Sequence, residues 1–127
     1  MSLRVATAPF RYRGPDRFDV TRKTGGPKGH PFAPSWRILM PALNAMREAR
    51  RVRSAELESK AWETYAVAFM AEMAASAKTH AEAWRDLLAR ERAVLVCYCA
   101  KRERCHRGLL VDLLVNLGAV DEGEVTT

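Results

Sequence analysis

The stretch that most constrains this chain is Ala93-Val94-Leu95-Val96-Cys97-Tyr98-Cys99. Residues 94–97 are apolar at every position, with no polar alternation. Such a run must be covered on both faces, as a central strand of a parallel sheet is. A basic loop follows. From Cys105 to about Leu117 an apolar pattern of helical spacing turns Leu109, Leu110, Leu113 and Leu114 inward, and Gly118 is placed as a C-cap. Strand, loop and helix form the repeating unit of an α/β protein. In open α/β sheets, ligands sit just beyond the C-terminal ends of the strands.

The remaining chain fits one domain over residues 1–127, a size that a single core serves. Residues 3–23 read as two short strands joined by the turn Gly14-Pro15-Asp16, the second strand being Phe18-Asp19-Val20-Thr21. Residues 24–34, rich in glycine and proline, read as a loop. Residues 35–91 read as three helices. Ser35 caps the first, which Pro41 could bend; Ser54 caps the second; Thr79 and Glu82 form a capping box for the third. The second helix carries a stripe of Trp62, Tyr65, Ala66, Phe69, Met70 and Met73, and Trp36, Trp62 and Trp84 are expected in the core. The central strand spans 93–99 and the last helix 105–118. Residues 119–127 are a short strand or a loose acidic tail. The expected fold is a single α/β domain, Rossmann-like and three-layered, with a small parallel sheet wrapped by helices.

All three cysteines fall within nine residues, at Cys97, Cys99 and Cys105, and His106 follows directly. Four readings stay open. Cys99 or Cys105 is a reactive thiolate with His106 as acid or base, since a helix start and neighbouring arginines lower a thiol's pKa. On this reading Cys105 is the most acidic thiol and Cys97 the least. Alternatively, the three thiols and His106 bind zinc, Cys99 and Cys105 form a redox pair, or Cys97 and Cys99 are small buried hydrophobes and Cys105-His106-Arg107 is a structural helix cap. Cys-x-Cys with an adjacent Cys-His is poor spacing for one ion, so no metal and no cofactor are expected. A cysteine-phosphatase loop is excluded, because the sixth residue after Cys97 is Glu103 and after Cys99 is Cys105. Walker A, GxGxxG and HExxH motifs are absent.

Charge gives a second clue. Residues 1–54 carry 12 Lys/Arg against 3 Asp/Glu, whereas residues 55–127 carry 9 against 12. A basic half points to an anionic partner. Arg102, Arg104 and Arg107 around the cysteine loop, with Asp19 and Arg22 at the end of a neighbouring strand, are the candidate ligand contacts. Arg11, Arg13, Arg17 and Lys23, interleaved with Phe10, Tyr12 and Phe18, could instead grip nucleic acid. No stretch approaches the roughly 20 apolar residues of a membrane span, and odd, tightly spaced cysteines favour a reducing cytoplasm. The leading expectation is binding of an anionic, nucleotide-type ligand at the Cys/His/Arg loop, with cysteine-dependent catalysis open. The alternative is a non-enzymatic nucleic-acid-binding or accessory protein. Oligomeric state is not legible.

Several segments together resemble the DUF488 family (domain of unknown function 488), closest to its short YeaO-like branch. They are Tyr12-Arg13-Gly14-Pro15-Asp16, Asp19-Val20-Thr21-Arg22-Lys23, Phe32-Ala33-Pro34-Ser35-Trp36, and Cys97-Tyr98-Cys99 followed by Cys105-His106-Arg107. Two residues separate Asp19 from Arg22 where the family has Asp-x-Arg, and Cys-Tyr-Cys stands where it has Cys-Ala-Glu. The resemblance implies an α/β fold with the Asp/Arg and Cys/His motifs near one cleft; it implies no particular reaction, though other members are linked to nucleotide or nucleic-acid chemistry.

Overall fold

The unbroken apolar run becomes β3 (Arg92–Cys97), in which Ala93 through Cys97 are all buried. In this computed structural model, residues 2–99, 102 and 104–125 are described. Ala100, Lys101 and Glu103 of the basic loop, Thr126 and Thr127 of the tail, and Met1 lie outside the described residues. On one side β3 pairs with β2 (Arg17–Asp19), Asp19 opposite Val96. On the other it pairs with β1 (Arg4–Pro9), which in turn pairs with β4 (Val120–Glu124). All pairings are parallel and the order is β2-β3-β1-β4. The C-terminal ends of all four strands therefore share one edge.

The expected class holds, a single α/β domain around a small parallel sheet, and its layers are unequal. One face (Val5, Phe18, Ala93, Leu95, Cys97) packs against α3 (Ala55–Thr79), α4 (Ala81–Leu88) and α5 (His106–Asn116), which contribute Tyr65, Phe69, Met73, Trp84, Leu87, Leu110, Val111 and Leu114. The other face is small, Ala6 and Ala8 beside Val94 and Val96, and a thin cover of Tyr12, Phe10 and Val125 suffices there. Alanines at the sheet surface let a turn do what helices do on the opposite side. α2 (Trp36–Arg51) packs on α3 rather than on the sheet, with Pro41 inside it. No helix among the described residues is long and apolar enough to cross a membrane.

Several local expectations are corrected. The loop at 24–34 contains a one-turn helix, α1 (Gly26–Gly29), and a 3₁₀ turn at His30–Phe32. It folds tightly over β2: a Cβ on Gly29 would lie 1.9 Å from the Asp19 carbonyl oxygen, so only glycine fits. Ser35 precedes α2 in extended conformation, but its hydroxyl donates to Glu72 of α3 and makes no cap bond. Ser54 does cap α3, accepting from the Leu57 N–H at 3.1 Å. Thr79 forms no capping box; it is the last residue of α3, and His80 is the junction to α4. Trp36, at the first position of α2, is half exposed, Trp62 is half-buried, and Trp84 alone of the three is buried. Of the two readings of the acidic C-terminal segment, the strand holds: it is the edge strand β4. The central strand stops at Cys97, so Cys99 lies beyond it and is exposed.

Candidate functional site

At the C-terminal edge, β3 delivers Cys97 into the core and the chain leaves the sheet through Tyr98 and Cys99. It returns at Cys105, the N-cap of α5, whose extended backbone turns its side chain inward. Close packing secures this return, since a Cβ on Gly108 would lie 2.6 Å from the Arg102 carbonyl oxygen. The result brings the sulfurs of Cys97, Cys99 and Cys105 all within 4.8 Å of one another.

Arg107 organises the cluster. Its side chain is wholly buried; Nη1 donates to the Cys99 carbonyl at 2.8 Å and to the sulfurs of Cys97 at 3.1 Å and Cys105 at 3.6 Å. Nη2 donates to Glu124 Oε2 at 2.8 Å, and the Thr7 hydroxyl donates to the same carboxylate. One guanidinium thus ties the ends of β3 and β4 beneath the first turn of α5. Hydrogen bonds from Cys105 and Cys99, with the nearby positive charge of Arg107, push the Cys97 thiol down against its burial. The contact with Cys105 pulls Cys99 down most strongly, but its hydrogen bond to Cys97, burial and the Cys97 charge together push it up. Burial pushes the Cys105 thiol up, and its bond to Cys97 adds to that. The expected order of acidity is therefore reversed. A helix start and arginines were read correctly, but Arg107 serves Cys97, and Cys105 sits in the apolar core.

His106 is buried against Phe69, ring centroids 5.5 Å apart. Nε2 lies 2.9 Å from the Val20 carbonyl, which only accepts, so Nε2 carries the proton and Nδ1 is free to accept. Nδ1 stands 3.9 Å from Cys105 Sγ. Desolvation lowers the His106 pKa and keeps the ring neutral.

The other expected contacts take separate places. Asp19 does reach this edge: Oδ1 accepts from the Thr21 N–H and hydroxyl, at 2.9 and 2.7 Å, and Oδ2 accepts from Thr24 at 2.6 Å. The Thr24 hydroxyl is 3.3 Å from that of Tyr98, which links the α1 loop to the strand exit. Arg22 turns away and donates to the carbonyls of Pro34, His30 and Ala33, clamping the loop before α2. Arg102 pairs with Asp121 at 2.6 Å, and Arg104 donates to Ser59 on α3. The three loop arginines therefore diverge. Arg17 holds the turn carbonyls of Tyr12 and Phe10, whereas Arg11, Arg13 and Lys23 lie on the surface.

Tyr98, Thr24, Glu124 and Thr7 were not singled out from the sequence. Tyr98 is half exposed and stacks on Phe10 at 4.3 Å, with Arg17 and Arg13 over the Phe10 ring. The interleaved arginines and aromatics were the available sign. For Glu124 there was none, since its partner lies 17 residues away. An apolar cleft of about 570 Å³ lies elsewhere, between α2 and α3, lined by Ile38, Pro41, Ala42, Leu57 and Tyr65, and none of the clustered thiols lines it.

No curated protein and no solved structure matches the chain. The family model DUF488-N3a, described as the active DUF488-N3 subclade, matches residues 4–118, from the first residue of β1 past the end of α5. That span includes Asp19, the thiol cluster and Arg107, and on it the chain belongs to the DUF488 family.

Proposed function

We propose that the protein binds a small anionic, nucleotide-type ligand at the C-terminal edge of its sheet, where the thiol cluster supplies the chemistry. The observation that carries this reading is the arrangement there of an exposed thiol, Cys99, and an exposed aromatic face, Tyr98, over the buried Cys97–Cys105–Arg107 cluster. A flat base would stack on Tyr98, whose other face already lies on Phe10. Arg13 and Lys23, exposed on the basic N-terminal half of the chain, supply positive potential for the anionic group. Arg102 and Arg107 drop out as direct contacts because carboxylates already neutralise them, and Arg104 because it reaches back to Ser59 on α3. Cys99 meets the ligand, Cys97 is the thiolate behind it, and His106 holds Cys105. Three free thiols fit a reducing, cytoplasmic setting.

The test is calorimetric titration with nucleoside mono-, di- and triphosphates and with inorganic pyrophosphate. Binding of nucleotides that is stronger than pyrophosphate, and at least tenfold weaker in Tyr98→Ala, supports the reading. Equal binding of pyrophosphate, or none of either, removes it. The same exposed Arg13 and Lys23 with the Phe10–Tyr98 stack also favour a second reading, a nucleic-acid interface. Retention on single-stranded nucleic acid that falls steeply with salt would select it.

A further inference from the structure

We infer that Cys97, Cys99 and Cys105 form a three-thiolate site for a thiophilic cation of the zinc class, with Arg107 as its buried counter-charge. The expectation against a metal rested on spacing alone, and folding changes the geometry. The sequence reading put Cys97 and Cys99 on one strand with His106 as the fourth ligand. Instead the strand ends at Cys97, Cys99 lies beyond it, and the turn into α5 carries Cys105 back beside both. The three sulfurs lie within 4.8 Å of one another. Zinc–sulfur bonds of about 2.3 Å in a tetrahedron set neighbouring sulfurs about 3.8 Å apart. Closing the difference takes less than an ångström of side-chain movement per thiol.

The surroundings fit such an ion. Cys97 ends a buried strand and Cys105 caps a packed helix, so two ligands are held by rigid elements. Three thiolates leave a divalent ion with one excess negative charge. The Arg107 guanidinium, 3.1 Å from Cys97 Sγ and 3.6 Å from Cys105 Sγ, offsets it and fixes both sulfurs by hydrogen bonds. Glu124 and Thr7 orient Arg107 in turn, the outer support typical of metal ligands. His106 gives no ligand, because one ring nitrogen is bound to Val20 and the other faces Cys105 Sγ. Among the described residues the set is therefore three sulfurs, and Cys99 is the ligand that meets solvent. The inference does not need the anionic ligand of the preceding reading.

The experiment is titration of reduced, metal-free protein with Co²⁺ alone, then displacement by Zn²⁺, with thiols counted before each run. Expected are one Co²⁺ per chain, intense thiolate-to-cobalt absorption and its loss on adding Zn²⁺. Cys99→Ser, at an exposed position, should leave the circular dichroism unchanged and weaken uptake at least tenfold. Uptake without thiolate absorption, unchanged uptake in Cys99→Ser, or no uptake with three free thiols present each overturns the site. So does a disulfide within the cluster that re-forms under reductant. Nucleotide titration of the same samples is scored separately, so loss of that binding counts against the ligand reading and leaves the metal result standing.

Discussion

At the C-terminal edge of the sheet, Arg107 pairs with Glu124 at 2.8 Å with none of its side chain in water. Near the N-terminal ends of β1 and β3, Arg92 pairs with Glu122 at 2.9 Å and with Asp16 at 3.8 Å, its side chain 24% exposed. Arg4 joins that network through Glu122 at 3.5 Å and Glu91 at 3.9 Å. The chemistry is the same at both edges and the stakes differ. In water a lost partner is replaced by solvent, whereas inside the fold it leaves a charge with nothing to meet it. The buried member, Arg107, also serves the sulfurs and the Cys99 carbonyl, and so belongs to the site as well as the scaffold.

The largest expected effect follows from that contrast. Arg107→Ala should cost about 3–5 kcal/mol in urea unfolding, the range for breaking a buried ion pair from one side. Arg107→Met combined with Glu124→Gln should recover part of the loss, because neither charge is then stranded. A cost below about 1 kcal/mol would place Arg107 in the same class as Arg92 and end the comparison.

Thiol reactivity sharpens the same edge. Cys99 is the exposed thiol and Cys105 is buried with its pKa pushed up by desolvation. Pulse alkylation at neutral pH, read by mass spectrometry, should label Cys99 first and Cys105 last, at least about tenfold apart. Cys105 labelling first would restore the expectation drawn from its helix-start position. Nothing at Cys105 in the sequence announces burial, since its apolar surroundings come from β3 and α3.

That case shows where sequence reading succeeds. β3, α3 and α5 were legible because each carries its own signal: an unbroken apolar run, a Ser54 cap with a stripe, and leucines ending at Gly118. β4 was legible only as one of two alternatives, because Val-Asp-Glu-Gly-Glu at an exposed sheet edge has no alternation and a single apolar residue. The thiols and His106 were found by composition, and Asp19 by its place at a strand end. Their roles were not, since those depend on contacts far apart in the chain: Glu124 with Arg107, Glu72 with Ser35, Val20 with His106. Arg22 and Arg107 looked like ligand contacts because an arginine's sequence neighbourhood does not reveal which carbonyls or carboxylates will claim it.

His106 makes the C-terminal edge sensitive to pH. Desolvation lowers its pKa in the folded protein from the ordinary value near 6.5. The unfolded chain therefore binds a proton in a range where the folded protein does not. Stability is complete above about pH 6.5 and falls as pH drops below it, by at most about 1.4 kcal/mol per unit for this one group. Melting temperatures between pH 8 and pH 5 should show the fall, and His106→Gln, which retains an N–H for the Val20 carbonyl, should flatten it. An unchanged slope in that variant would assign the pH effect to other groups.

The smallest effect belongs to the opposite edge. Arg92→Ala removes two ion pairs, yet its cost should be about 0–1 kcal/mol, because water and the neighbouring Arg4 remain to meet Glu122. The hydrogen bond that Arg92 donates to Glu122 raises the Arg92 pKa, but Arg92 is charged at every working pH in either case, so this adds no pH dependence. A double-mutant cycle with Glu122→Ala isolates the pair, and its coupling should shrink between low salt and 1 M salt, where the screening length is about 3 Å. Arg107 has no side-chain surface in water, although Glu124 is 30% exposed, so their coupling should fall less with salt than that of Arg92 and Glu122. If both pairs weaken equally with salt, water reaches the C-terminal edge as freely as the N-terminal one, and the difference in burial that separates them is not maintained in solution.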